Sequence, residues 1–477
     1  MHSFQKWPLR AGACMIGGAL AVSAAALTPA ASAAPRAPRA VAAAPSGPVS
    51  PHPASGTPSL IPTGGSNEMV RQLVECGGNM FVAGKFSKVS WSGKTYARNN
   101  AFSFKATAPY TMSGWNPNVN GEVNSIALNS NCSDAYLGGQ FTSVGGTGAG
   151  NLAEVSTSTG AVNQGFGHSA SAIVYTMLLT SKGHLLVGGN FKTINNSRAD
   201  PYYTSLNPIT GKNDGYLSLA ISGHYVYQGV APNATGVFNQ QLSPNGSEVL
   251  AEGDFTSVGG QARQQIFMLG LGASKGSLTG WYSSDFSQFC GDHHPLYVKA
   301  AAWSPDGSTV YTADTGKFPL NWNHTFPLKP PNLCDVVAAF PATHSGGLAP
   351  RWTNYSGCFS FFSVAADSFA VYAGGHERWA DNQNACKSKG RGAIPAGGMG
   401  GFTPSSGALI LNPSGTRGRY KMSRANADDM LVTTAGLWIA SSDRFNASMC
   451  GTATGVSSAD GRRQLAGMTM PYSWILR

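Results

Sequence analysis

Leu137-Gly138-Gly139-Gln140-Phe141-Thr142-Ser143-Val144-Gly145-Gly146 returns, little changed, as Ala251-Glu252-Gly253-Asp254-Phe255-Thr256-Ser257-Val258-Gly259-Gly260. Each copy is an apolar run that ends in glycine, a polar residue and phenylalanine. The same ending closes Val82-Ala83-Gly84-Lys85-Phe86 and Val187-Gly188-Gly189-Asn190-Phe191, and weaker copies follow at Val310 to Asp314, Val371 to His376 and Trp438 to Phe445. Self-similarity of this kind has to be read before domain boundaries, since overlooking it misassigns the whole chain. Seven copies predict seven units.

Around each anchor one order recurs: an apolar strand, a tight turn, the anchor strand, a loop, a third strand, a Thr-Gly or Ser-Gly turn and a short fourth strand. Ser243-Pro244-Asn245-Gly246 and Ser304-Pro305-Asp306-Gly307 are the clearest first turns, with proline presetting φ and glycine allowing φ > 0. Third strands end at Ser158-Thr159-Gly160, Ile209-Thr210-Gly211 and Ser405-Ser406-Gly407. The composition agrees, with 60 Gly, 28 Pro, 42% hydrophobic and only 11% charged residues and no long apolar stripe at helical spacing. A flat sheet of about 28 strands would leave long open edges, whereas radial stacking buries both faces of every unit. The expected fold is all-β, a seven-bladed β-propeller of four-stranded blades, and glycines within the anchor strands mark a bulge or a close backbone approach.

Lys6 and Arg10 precede an uncharged apolar stretch, Met15 to Leu27, that ends in Ala31-Ser32-Ala33. This is the pattern of a secretory signal peptide over residues 1–33, and the stretch is too short to span a membrane. Residues 34–58, almost wholly Ala, Pro, Ser and Gly, read as a disordered spacer. The expectation is a single propeller domain over 59–477 in a protein secreted from the cell or held at its wall, monomeric and without a membrane span. Ser59 to Thr63 is the candidate for an outer strand of blade seven, whose third strand is placed at about Gln464 to Thr469.

The repeat core resembles that of the secreted actinobacterial propellers built from delta-60-type repeats, Val-Gly-Gly-x-Phe-Thr-x-Val-Gly-Gly. Gly138 to Gly146 and Gly253 to Gly260 carry the match, together with Trp115-Asn116-Pro117-Asn118, Cys334 to Phe340, Pro350-Arg351-Trp352, Gly374 to Trp379 and Gly436-Leu437-Trp438. The resemblance covers roughly residues 65 to 470 and is weakest in the fifth and seventh units, which lack the Gly-Gly. It implies a propeller and export. It implies no catalytic residues.

Loss of the leader removes Cys14 and leaves seven cysteines. Outside the cell they are expected in disulfides, and no Cys-x-x-Cys spacing favours a metal. Propeller topology puts turns between first and second strands on one face and the connections entering a blade, or joining its second and third strands, on the other. Cys76 and Cys132 therefore share one face, and Cys290 with Cys334 and Cys358 with Cys386 share the opposite one. These three bridges are expected, with Cys450 unpaired.

Gly272-Ala273-Ser274-Lys275-Gly276 fits a nucleophile elbow in letters, but it falls on a turn between strands with no helix to follow. Asp292-His293-His294 with His324 could ligate a metal, although adjacent histidines in an extended segment diverge; no metal or other cofactor is expected. Asp285, Asp292, Glu377 and Asp381 are the acids available for glycoside cleavage, the basis of an alternative reading as a polysaccharide hydrolase or lyase. Glu377 beside Arg378 reads more simply as a surface ion pair.

A binding or scaffold role rests on the long second-to-third connections of blades five to seven, since long loops in a compact domain are commonly functional. They hold Trp322 and His324, then His376, Arg378 and Trp379, aromatics beside hydrogen-bonding groups as in carbohydrate or peptide recognition. Charge points the same way: removing Lys6 and Arg10 with the leader leaves a net of +8, of which residues 387–477 carry +7. Arg391, Arg417, Arg419 and Lys421 fall on the same face as the aromatic loops. Nucleic acid is an improbable partner for an exported chain without base-reading motifs. The expected ligand is an anionic or neutral extracellular polymer.

Overall fold

Two apolar runs joined by a tight turn of Gly, Asn, Asp or Ser pair by folding back on each other, and every repeat unit does so. In blade one Met69–Cys76 pairs with Asn79–Lys85, which pairs with Ala101–Lys105. The computed structural model describes residues 47–52, 54–63, 68–198, 200–225, 234–290, 294–316, 326–420, 426–442 and 473–476. Within them the chain is an all-β propeller, its sheets antiparallel and its meanders following one another in chain order. The first strands, Met69–Cys76, Glu122–Leu128, Val174–Leu179, Gly236–Leu242, Tyr297–Trp303, Phe361–Ala366 and Asn426–Thr433, each neighbour the next, and the last meets the first. A ring around an axis results. Fourth strands are complete in blades four and five, at Gly276–Leu278 and Trp352–Tyr355. In blades one, two, three and six the fourth position is a single bridge, Phe104 to Met112 being the first of them.

Every first strand slips register once, near its start, leaving Arg71, Asn124, Tyr175, Phe238, Lys299, Phe362 and Asp428 outside the ladder. A bulge brings two backbones close, which explains the glycine at this place in five of the seven anchors, Asp314 and Ser441 standing there in blades five and seven. A Cβ on Gly253 would stand 2.0 Å from the carbonyl oxygen of Gly236, and one on Gly139 2.1 Å from that of Glu122. The preceding small residue makes room for the next blade: a Cβ on Gly138 would meet Val174 at 2.5 Å. Phe86, Phe141, Phe191 and Phe255 then fill the core at the strand end, all of them buried.

Each first strand is also the inner edge of its blade, and side chains of the neighbouring blade accept N–H groups that this edge leaves free. Gln72 Oε1 takes the N–H of Ile126 (2.7 Å), Ser125 Oγ that of Met177 (2.9 Å), and Asp429 Oδ2 that of Leu73 (2.8 Å). The last bond joins blade seven to blade one. Disulfides tie Cys76 to Cys132, Cys290 to Cys334 and Cys358 to Cys386, the pairs that the topology favours. Cys450 lies outside the described residues.

Three expectations are corrected at the chain ends. Ser59–Leu60 pairs with Lys88–Trp91 of blade one, not with an outer edge of blade seven. The third strand of blade seven is Ser473–Leu476, paired with Gly436–Ser442, so the C-terminal segment serves as a third strand and not a fourth. The spacer also ends earlier than Pro58, because Val49 and Thr57 are buried and the Val49 carbonyl accepts the Tyr420 hydroxyl at 3.1 Å. Among the described residues no helix is long and apolar enough to cross a membrane.

Candidate functional site

The connection from His376 to Gly398 in blade six is built around one asparagine. Asn382 is fully buried; its Nδ2 donates to Ser388 O (2.9 Å) and its Oδ1 accepts from Gly390 N (2.8 Å). Cys386 anchors the same segment to Cys358, and the Lys387 N–H donates to Gly357 O at 2.8 Å. A loop that would otherwise wander is thus fixed at its middle. Asn382→Ala removes both side-chain bonds and leaves the Ser388 carbonyl and the Gly390 N–H without that partner, a cost of about 2 kcal/mol. Limited trypsin digestion checks this: the variant should be cut at Lys387, Lys389 or Arg391 under conditions that leave the wild type whole.

Around that loop the structure gathers several of the expected residues. Arg378 is exposed, its guanidinium 5.0 Å above the Phe359 ring, while half-buried Trp379 meets the same ring edge-on at 5.6 Å. Trp379–Ala380 also pairs with Ile394–Pro395, so Trp379 pins its loop as well as lining it. His376 is exposed and edge-on to Phe362 at 4.8 Å. The Gly418 N–H donates to Pro395 O (2.9 Å), which sets the segment bearing Arg417 and Arg419 against the loop that bears Arg391. Arg417 and Arg391 are exposed, whereas Arg419 is half-buried over Tyr420. Blade five joins through Leu328 N–H to Gln383 O at 2.7 Å. Trp322, His324 and Lys421 lie outside the described residues, as do Asp292 and His293.

Electrostatics keep this surface positive. Among the described residues none of Arg378, Lys387, Lys389, Arg391 and Arg417 has a carboxylate within ion-pair distance. Burial raises the nearby acids: it pushes Glu377 well above the carboxylate range, moves Asp381 upward and raises Asp335 to about 7.

Glu377 is a correction in itself. It makes no ion pair with Arg378; it stands where four other blades bury phenylalanine, fully buried, with neither carboxylate oxygen hydrogen-bonded. Successive side chains of an extended segment point to opposite sides, which sends Glu377 inward and Arg378 out onto Phe359. Asp381 accepts the Asn354 amide at 2.7 Å, and Asp285 sits in the short turn Ser284–Ser287. A pair of carboxylates flanking an open cleft is not formed by Glu377. Ser274 lies in the tight turn closed by Gly272 N–H to Lys275 O (3.0 Å) and followed by a strand, which removes the elbow geometry.

Sequence reasoning passed over the seven bulged residues. Their signal is one residue out of phase in each first strand, visible when Val70-Arg71-Gln72, Val123-Asn124-Ser125 and Val298-Lys299-Ala300 are set side by side.

The chain is a β-propeller with a loop face suited to a binding or scaffold role. Comparison with known proteins agrees on the fold: the family described as the Rax2 C-terminal beta propeller domain matches residues 97–206. The chain is similar in structure to U3-55K at 10% identity, with 89% of this chain and 100% of that one covered and a TM-score of 0.47. It is similar also to the RRP9 WD40 repeats (11%, 89% and 99% covered, TM-score 0.44) and to the WD40 beta propeller domain of Doa1 (12%, 81% and 94%, 0.37). No curated protein matches the chain.

Proposed function

We propose that this is a secreted binding propeller that holds an anionic extracellular polymer on the loop face of blades five to seven. The observation that carries the reading is the set of five exposed cations around the Cys358–Cys386 loop, none with an ion-pair partner among the described residues, set beside acids whose pKa burial raises. Positive charge on a preformed loop concentrates polyanions near the surface, and aromatic rings beside it offer flat apolar contact. Three disulfides and the leader-like first 33 residues support an extracellular setting. The sealed Glu377 speaks against carboxylate-pair hydrolysis on this face.

The field of such a surface is screened by salt, because the Debye length falls from about 10 Å at 0.1 M to about 3 Å at 1 M. Mature protein should bind polygalacturonate or a teichoic-type polyanion at low salt and release it at high salt. Lys387→Glu, Lys389→Glu and Arg417→Glu together should weaken binding on the order of tenfold or more. Binding that ignores both salt and charge reversal would rule the reading out.

A further inference from the structure

The seven first strands surround the axis, and one residue of each stands out of the ladder. In all seven blades the residue before the bulged one is buried: Val70, Val123, Val174, Val237, Val298, Phe361 and Ala427. Arg71 and Lys299 are exposed nonetheless, and Tyr175, Phe238 and Phe362 half so. On the innermost strand of a propeller only the axial channel can supply that access. Contacts between blades link the groups of blades one to four around one space, and Lys299, Phe362 and Asp428 hold the same register position on the next three first strands. Arg71 pairs with Glu122 of the next blade (2.6 Å), Asn124 Nδ2 donates to Val174 O (3.0 Å), and Tyr175 meets Phe238 edge-on at 4.9 Å. Burial raises the Tyr175 hydroxyl, with Glu122 adding to the shift and Arg71, two blades away, opposing it.

The ring is divided in character. Blades three, four and six present Tyr175, Phe238 and Phe362, and Lys299 of blade five stands between the last two, its ammonium 5.2 Å from the Tyr297 ring centre. Blades seven, one and two present Asp428, Arg71 and Asn124. No carboxylate oxygen lies within 4.0 Å of the Lys299 ammonium among the described residues. Flat rings beside an ammonium, faced by hydrogen-bonding side chains, match the apolar face, the carboxylate and the hydroxyls of a sugar acid.

We propose that the channel mouth binds a single hexuronate residue, its carboxylate on Lys299, its ring face on Phe238 or Phe362 and its hydroxyls toward Asn124 and Arg71. This deepens the preceding section and rests on its reading that the ligand is an anionic polymer, of which the channel would hold one unit. Desolvation lowers the Lys299 pKa and Asp254 opposes it, so an incoming carboxylate would add a second negative group beside the ammonium.

Ligand-detected NMR with free D-glucuronate, D-glucose and acetate tests it on the mature protein. Glucuronate should bind, glucose and acetate on the order of tenfold more weakly or not at all; Lys299→Met and Phe238→Ala should each lose glucuronate by a similar factor, and Lys299→Arg should keep it. Melting curves of each variant confirm folding. Glucuronate binding unchanged in Lys299→Met, or acetate or glucose bound as tightly as glucuronate, overturns the proposal. The triple loop variant should lose polymer and keep the monosaccharide. Monosaccharide binding without polymer binding would sustain this site and remove the loop-face reading, and polymer binding without glucuronate binding would do the reverse.

Discussion

Raising the pH from about 5 to about 9 should lower the melting temperature by several degrees, the opposite of the acid lability usual for carboxylate-stabilised folds. Buried acids in the blades are responsible. Glu252 replaces the small residue found at the matching place in other anchor strands, is buried, and has neither oxygen hydrogen-bonded, so burial raises it to about 8. Asp335 is raised to about 7 and Asp429 to about 6, chiefly by burial, and Glu377 and Asp314 stand well above the usual range for the same reason. A carboxyl whose folded pKa exceeds its unfolded one binds more protons when folded; its contribution is complete below the unfolded value and is lost as pH rises through the folded one. For Glu252, whose ordinary value is 4.5, that loss is on the order of 4 kcal/mol between about pH 4 and pH 8. Asp214 runs the other way, because its hydrogen bonds with His184, Ser205 and Tyr216 outweigh burial and hold it low, so its stabilisation is lost only at more acid pH. Thermal melts of the wild type and of Glu252→Gln and Glu377→Gln check this. The variants should gain stability at pH 8 and flatten the profile; a wild-type melting temperature that is constant or rises over this range would contradict it.

Much of the propeller can be read from the sequence because its anchors do two jobs at once. Gly253 is glycine since the bulge leaves no room for a Cβ, and Phe255 is phenylalanine since the strand end opens into the core between blades. Such constraints repeat with the blades and therefore appear as a pattern. Cys358 and Cys386 were pairable for a related reason, the alternation of loops between two faces. What escaped has no repeat behind it. Ser59 and Leu60 form a two-residue strand whose letters do not specify a partner, and the edge offered by Lys88–Trp91 took it. Glu377 looked like half of an ion pair because its neighbour is Arg378, and only the direction of its side chain, set by the strand before it, shows otherwise. The bulged ring is periodic in position but not in chemistry, from Arg71 to Phe362, so alignment by residue type passes over it.

Removing residues 47–63 should destabilise the ring more than any loop deletion of equal length, since this segment covers the seam where blade seven meets blade one. At that seam the first strand of blade one touches blade seven's ladder by a single pair, Met69 with Ser442, and by the Asp429 to Leu73 bond. Trp438 supplies the packing: fully buried, it lies 5.8 Å from Phe104 and 6.0 Å from Tyr110, with its N–H on Thr433 Oγ1 at 3.1 Å. Val49 and Leu60 close over the same cluster, each 1% exposed, and Ile61 N–H donates to Lys88 O at 3.0 Å. Burying two such side chains contributes about 3–6 kcal/mol, and Trp438→Ala should cost about 3–5 kcal/mol by itself. Because the deletion and the substitution strip one cluster, their effects should fall short of additive. Calorimetry of the deletion, of Trp438→Ala and of the two combined measures this directly, with Val49→Ser as the mildest member of the series. A deletion that melts with the full chain would show that blades seven and one hold together without the segment, through Trp438 and the Asp429 bond alone.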